Sequence, residues 1–415
     1  AEADRILRNC VHCGFCNATC PTYRLLGDEL DGPRGRIYQI KNLLEGGEPG
    51  RGTQVHLDRC LSCRNCETTC PSGVEYGRLL DIGRELVEGR VARPKKERLL
   101  RGLLRRVLPH PARFRALLGA GRAARPLLPA SLKARLPEGE APGPWPAPRH
   151  TRRMLVLQGC VQPAMAPRIN GAAARVLDRL GISLVAAEGA GCCGAIDQHL
   201  GAPGDARDRM RANIDAWWPE IEAGAEAVVT TASGCGAVIK EYGRHLAGDP
   251  DYAAKAESVA GLTRDLSQVV DPEDLKGLAP AEPPRVAVQT PCTLQHAQGL
   301  PNALPVLLEG AGFPLAPGGE TQMCCGSAGT YSILQPKLAA RLRARKLEDL
   351  EAGAPAVIAT ANVGCLHHLA AASRVPVRHW IELFDPGDEK RPAPGAGLFR
   401  AGSRTVSPSR SSGPP

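Results

Sequence analysis

Residues 10–21, CVHCGFCNATCP, and residues 60–71, CLSCRNCETTCP, carry one spacing twice: Cys-x2-Cys-x2-Cys-x3-Cys-Pro. Bacterial [4Fe-4S] clusters are bound by runs of this spacing. Two-residue spacers let three thiolates of a tight loop reach three irons of one cube. The fourth cysteine, set off by three residues and followed by a proline turn, points to the other cube. Cross-ligation then assigns Cys10, Cys13, Cys16 and Cys70 to one cluster, and Cys20, Cys60, Cys63 and Cys66 to the second. The rival reading is a pair of structural zinc sites. Zinc takes four ligands, usually as two separated pairs, and has no use for four cysteines within eleven residues.

The segment between the runs is long for a minimal ferredoxin and reads as helical. Pro33 starts a helix whose apolar face is Ile37, Ile40, Leu43 and Leu44, and Gly46-Gly47 stops it. Val74, Leu79, Leu80, Leu86 and Val87 continue an apolar pattern after the second run. Arg5, Arg8, Arg59 and Arg64 flank the runs and are candidates to offset cluster charge.

The other eight cysteines lie between Cys160 and Cys365, in a stretch that repeats. Cys160 and Cys292 are 132 residues apart, Cys192-Cys193-Gly194 and Cys324-Cys325-Gly326 again 132, and Cys235 and Cys365 are 130 apart. In each half an apolar run ends on a cysteine (MLVLQGC at 154–160, RVAVQTPC at 285–292). A helical stretch, the Cys-Cys-Gly and another helix follow, and a second apolar run ends on a cysteine (EAVVTTASGC at 226–235, PAVIATANVGC at 355–365). Short β-branched runs alternating with helices predict parallel α/β units, whose strand ends converge on one edge. The four cysteines of a half then meet at one site, or both sets share a site between halves. Small apolar core cysteines, zinc, vicinal dithiols and a further Fe–S cluster all compete for these positions.

Composition narrows the class. The chain has 415 residues, 46 glycines, 37 prolines and 4% aromatic residues, which suits short helices and tight loops around sites. No run of eighteen apolar residues predicts a membrane span, and the first residues show no secretory signal. Sixteen clustered cysteines without such a signal point to metal or redox roles in a reducing compartment. The net charge of +9 is concentrated: residues 90–153 hold seventeen Lys/Arg against three Asp/Glu, leaving the rest at 9 − 14 = −5. The basicity is therefore local and gives no global sign of nucleic-acid binding. Within it, Leu99, Leu100, Leu103, Leu104, Val107 and Leu108 alternate with Arg98, Arg101, Arg105 and Arg106 as a basic amphipathic helix. An anionic membrane surface and a connector role with the arginines in water are both open to it.

The paired halves resemble the cysteine-rich "CCG" domains of heterodisulfide reductase B subunits and of iron–sulfur subunits serving flavin-linked 2-hydroxy-acid and glycerol-3-phosphate dehydrogenases. The words CVHCGFCNATCPTY, LLGDELDGPRGRIYQIK and HLDRCLSCRNCETTCPSGVEYGRL look specifically like the glycolate oxidase iron–sulfur subunit family, and the resemblance runs from about residue 4 to 385. It implies an α plus α/β chain: a helical two-[4Fe-4S] ferredoxin module at 1–90, a basic helical linker at 91–150, α/β CCG domains at 151–275 and 276–385, and a disordered tail at 386–415. It implies an oxidoreductase subunit without substrate turnover of its own. FAD-binding glycolate oxidase subunits would be its partners, with electrons passed toward quinone. The expected location is the cytoplasm, with peripheral contact on the inner face of the cell membrane. Lactate or glycerol 3-phosphate as the partner's substrate is the near alternative, and a zinc-stabilised scaffold or nucleic-acid-binding protein the remote one.

One departure limits the transfer. The heterodisulfide reductase pattern ends each half in C-x2-C, but here the place of the last cysteine is taken by Val238 after Cys235 and by His368 after Cys365. The sets Cys160, Cys192, Cys193, Cys235 and Cys292, Cys324, Cys325, Cys365 suffice for an ordinary cube or for zinc, not for a five-thiolate cluster. His296, His367, His368 and His379 crowd the second half as candidate imidazole ligands or proton relays. Gly189-Ala-Gly191-Cys-Cys-Gly194 matches a dinucleotide fingerprint, but the second copy reads Glu320-Thr-Gln-Met-Cys-Cys-Gly326, so the repeated element is Cys-Cys-Gly alone.

Overall fold

The first ninety residues form helices with no strand among them: α1 (Glu2–Arg8), α2 (Phe15–Thr19), α3 (Pro21–Leu26), α4 (Pro33–Leu44), α5 (Arg51–Asp58), α6 (Asn65–Thr68) and α7 (Tyr76–Arg90). They belong to a computed structural model that describes residues 2–127, 129 and 139–385. The expected tail at 386–415 lies outside the described residues, as does part of the expected linker. Proline sits in the first turn of α4, where its missing N–H leaves no bond unmade. Ile37, Ile40 and Leu43 are buried against Leu57, Leu79, Leu80 and Val87. Leu44, expected on the same face, is exposed at the helix end. The α4–α7 contact depends on Gly83, where a Cβ would meet Ile40 Cγ1 at 2.6 Å.

Two further helices, α8 (Lys95–Val107) and α9 (Pro111–Ala123), make the basic linker. They dock through the buried Leu104 and Leu118 and through arginines. Arg101 pairs with Asp58 at 2.9 Å, and Arg105 pairs with Asp197 and Asp205 of the next domain. Arg93, just before α8, pairs with Asp58 and Glu88. Carboxylates on both flanking domains therefore hold Arg101 and Arg105 inward, while Arg98 and Arg106 stay exposed. Leu99, Leu103 and Leu117 are exposed as well.

The rest of the chain is a duplicated α/β fold. The first half has a parallel sheet of order β2-β1-β3-β4: β1 (Arg152–Val156), β2 (Ile182–Val185), β3 (Val228–Thr230) and β4 (Thr263–Asp265). The helix α10 (Arg168–Arg179) joins β1 to β2, α11 (Pro203–Glu222) precedes β3, and α12 (Ser233–Ile239) follows it. The second half has β5 (Val286–Gln289), β6 (Val357–Thr360) and β7 (Val377–His379) in order β5-β6-β7, also parallel. Its helices are α13 (Ala303–Gly310), α14 (Pro336–Glu351) and α15 (Val363–Ala370). A single bridge from Val286 to Leu315 stands where the first half has β2.

The halves share one core. Val156, Leu177 and Val229 from the first pack in the same cluster as Leu294, Leu304, Leu308 and Trp380 from the second. Polar contacts lock the seam: Ser233 N–H donates to Ala361 O at 3.1 Å, and Arg175 forms an ion pair with the buried carboxylate of Asp385. His379 ends β7 and crosses to the first half, its Nε2 donating to Thr231 O at 2.8 Å, while Nδ1 accepts from Ile381 N–H. Acceptance at Nδ1 requires a neutral ring, and burial holds its pKa down at about 4. A depressed histidine stabilises the fold fully above its unfolded value near 6.5. That stability is lost as pH falls from about 6.5 toward 4. The denaturant stability gap between wild type and His379→Gln is expected to be widest above pH 6.5. It should narrow by on the order of 2–3 kcal/mol by pH 4; an unchanging gap would contradict the assignment.

Candidate metal centres

The two cysteine runs form matching loops. His12 and Ser62 share φ 53°, and the residues two further on, Gly14 and Arg64, also lie at positive φ (85° and 59°). These left-handed turns curl each loop so that its first three sulfurs face one hollow. Cys10, Cys13, Cys16 and Cys70 line one hollow, together with Cys66, Arg34, Ile37 and Tyr76. Cys20, Cys60, Cys63 and Cys66 line a second, with Arg36, Arg64 and Tyr76. Each hollow thus takes cysteines from both runs: Cys66 and Cys70 join the first run's three at one, Cys20 joins the second run's three at the other, and Cys66 borders both.

The donor chemistry fits iron–sulfur cubes better than zinc. Four thiolates around one ion at 2.3 Å sit roughly 3.8 Å apart. Among the described residues no three cysteine sulfurs lie within 4.8 Å of one another; the one such group of metal-binding side chains is Asp28, Asp31 and His56. That group is already neutralised, because Asp31 accepts from Arg36, Arg59 and His56. Burial also pushes the thiol of Cys16 up to about 11, and those of Cys63 and Cys66 well above the ordinary range. As free thiols they would be protonated; coordination to iron supplies the charge that makes them thiolates.

The arginines divide differently from expectation. Arg5 is bound to Glu75, Arg8 to Asp4 and Arg59 to Asp31, so these three serve ion pairs away from the hollows. Arg34 and Arg36, both on α4, line the hollows instead. Arg36 is fully buried and donates to His56 O at 2.8 Å and to Thr22 Oγ1 at 3.2 Å. Their spacing on a helix that begins between the runs is the sequence signal that would have found them.

In the duplicated domains the cysteines cluster by half. Cys160, Cys192, Cys193 and Cys235 interact in a chain of neighbouring sulfurs, and hydrogen bonds from Cys160 and Cys193 hold the Cys192 thiol low. In the second half Cys292 lies 3.8 Å from Cys324, and Cys325 lies 3.3 Å from Cys365. The two sets stay separate. Cys235 and Cys365 sit in the first turns of α12 and α15, past the strand ends where the apolar runs placed them. Three of the four candidate histidines take other partners: His296 meets Thr68 at 2.9 Å, His368 meets Ala339 O, and His379 the seam, whereas His367 Nε2 is buried without a hydrogen-bond partner. Among the described residues, none of them joins a three-ligand group with the cysteines.

The second hollow and the second half's thiols face one another. Leu61 and Cys63 pack with Met323, Cys324, Tyr331 and Leu342, and Cys292 flanks the same cluster. Polar bonds surround this contact: Asn65 Nδ2 donates to Gln322 O at 3.2 Å, and Arg24 and Arg345 both bind Glu320. Arg64, held at positive φ, reaches the other half and binds Glu241 with both nitrogens at 2.6 and 2.8 Å.

Two cross-linked thiol hollows in a helical module, docked on a duplicated cysteine-rich fold, define a multi-centre iron–sulfur electron carrier. The 4Fe-4S dicluster domain family matches residues 6–74, and the cysteine-rich domain family matches residues 154–240 and 286–370. The glycolate oxidase iron–sulfur subunit of Escherichia coli (strain K12) is 57% identical over 390 residues, 94% of this chain and 96% of that protein. The probable glycolate oxidase iron–sulfur subunit of Bacillus subtilis (strain 168) is 32% identical over 87% of each chain. Lactate utilization protein A of Geobacillus kaustophilus (strain HTA426) is 28% identical over 50% of this chain and 85% of its own. The chain belongs to the glycolate oxidase iron–sulfur subunit family.

A non-glycine residue at positive φ costs about 1 kcal/mol or more, and the bidentate pair with Glu241 offsets that at Arg64. Arg64→Ala should lower thermal stability more than Arg64→Gly, by about 1 kcal/mol. Both should raise hydrogen exchange around Tyr242–His245; equal loss in the two variants would refute the backbone argument.

Proposed function

We propose that this chain is the electron-transfer subunit of a glycolate-oxidising complex, with no substrate turnover of its own. Its partners are then FAD-binding subunits that oxidise the 2-hydroxy acid. Cys10, Cys13, Cys16 and Cys70 hold one [4Fe-4S] cluster, and Cys20, Cys60, Cys63 and Cys66 the other. Cys292, Cys324, Cys325 and Cys365 hold a further metal centre, and Cys160, Cys192, Cys193 and Cys235 are its counterpart in the first half. Bound there, the clusters supply one-electron carriage. The observation that carries the reading is the buried contact of Cys63 with the surroundings of Cys292 and Cys324, which links the module to the duplicated domain. Glycolate is favoured over lactate because the lactate-utilisation relative covers only half of the chain.

The protein's own groups hold and insulate. Arg36 and Arg34 bring positive charge to the hollows from α4, and the apolar wall of Leu61, Met323 and Leu342 excludes water from the contact. On the outer side Cys13 is exposed, flanked by Val11 and Phe15, so the first hollow opens to a redox partner. Peripheral contact with membrane or quinone is the finer part of the reading. Its support is the exposed Leu99, Leu103 and Leu117 beside exposed Lys95, Lys96, Arg98 and Arg106. No helix among the described residues is long and apolar enough to cross a membrane.

Anaerobic purification with iron and sulfide analysis and EPR should give at least two reducible [4Fe-4S] centres; stoichiometric zinc without a reducible signal would end the reading. In the complex, Cys63→Ser should abolish electron delivery to quinone while glycolate still reduces the flavin, and retained quinone reduction would count against it. The full chain should float with vesicles containing anionic lipid at low salt, and Leu99→Glu with Leu103→Glu should remove that binding. A wild-type chain that stays in the pellet fraction would sink the membrane part alone.

A further inference from the structure

The two halves anchor their Cys-Cys-Gly turns with different buried residues. In each half the glycine packs on the following helix: a Cβ at Gly194 would lie 3.0 Å from Ala206 O, and at Gly326 2.7 Å from Ala339 O. Those helices, α11 and α14, begin at Pro203 and Pro336, and their buried positions correspond at a constant offset of 133 residues: Ala206 with Ala339, Ile214 with Leu347. The same offset sets Asn213 against Lys346, each 1% exposed. Both fasten the loop that leads into the paired cysteines. Asn213 accepts from Gly191 N–H at 2.8 Å and donates to Cys192 O at 2.8 Å. Lys346 donates to Glu320 O at 2.6 Å and to Thr321 O at 3.4 Å, and Asp349 stands 3.8 Å from its nitrogen. The task is shared, but one anchor is neutral and the other is an amine with a carboxylate and two carbonyls around it.

We infer that Lys346 is a positioning residue that also tunes charge. It fastens the 320–325 loop against the ferredoxin module and makes the second half's metal site easier to reduce than it would be without that charge. This rests on the reading of Cys292, Cys324, Cys325 and Cys365 as a metal site. Cys324 and Cys325 lie within electrostatic reach of the Lys346 nitrogen. A buried positive charge favours the more negative, reduced state of a nearby cluster, because little water screens it. The half so charged is also the one in contact with Cys63, so the bias acts where electrons would cross. The clamp continues on its outer side, where Glu320 takes Arg345 from α14 and Arg24 from the module.

The test is an EPR-monitored redox titration of the iron-loaded full chain, comparing wild type with Lys346→Gln and Lys346→Arg. The second-half centre is the signal lost in Cys324→Ser. Lys346→Gln keeps a hydrogen-bond donor without the charge. It should shift that centre's midpoint to lower potential and leave the two N-terminal centres in place, and Lys346→Arg should restore the wild-type midpoint. Full iron content in Lys346→Gln with an unmoved midpoint overturns the proposal. If Lys346→Gln loses the second-half iron, Lys346→Arg decides: iron retained at the wild-type midpoint supports the role of charge, and the same loss overturns it. A wild-type spectrum in which Cys324→Ser removes no signal overturns the metal-site reading itself, and the proposal with it.

Discussion

Each thiol hollow is lined by cysteines of both runs, and the rest of the chain's organisation depends on that sharing. Cys70 lines the first hollow and Cys20 the second, so neither site exists unless the two loops lie side by side. Helices α4 and α7 enforce this, with Ile40 seated on Gly83 and Tyr76 facing both hollows. The module therefore has no separable halves, and the long insertion between its runs is the frame that sets their separation.

Docking on the duplicated domains continues the same logic outward. The second loop carries the contacts to both halves: Arg64 to Glu241, Asn65 to Gln322, Thr68 to His296. These residues lie between or just after Cys63 and Cys66, so the side chains that position the module are interleaved with the candidate ligands. Buried or half-buried ion pairs of this kind contribute modestly to net stability, but losing one partner strands a charge and is costly. They fix orientation more than they add strength.

Much of this was legible in the sequence because thiol spacing is a strong geometric constraint. Four cysteines within eleven residues leave few ways to meet a metal, and the repeat at 132 residues announced two copies of one fold. The helix from Pro33 was readable from its proline and its apolar spacing. What escaped notice was charge, since any arginine near a cysteine run looks alike in one dimension. Arg34 and Arg36 face the hollows, whereas Arg5 and Arg8 do not, and only the helix axis separates them. The basic linker was ambiguous for a related reason. Its leucine periodicity left two roles open, and which arginines turn inward depends on acidic residues distant in sequence, Asp58 for Arg101 and Asp197 for Arg105. Asn213 and Lys346 also resisted reading, because the offset between copies changes by one residue after the Cys-Cys-Gly turn.

The second half has given up a strand. Where the first sheet closes on β2, the second has one bridge at Leu315, and the freed backbone runs on through Glu320 and Gln322 to meet the module. Duplication by itself would produce two equivalent faces and an ambivalent molecule. Unravelling one edge breaks that symmetry and converts a redundant copy into an adaptor for the helical module.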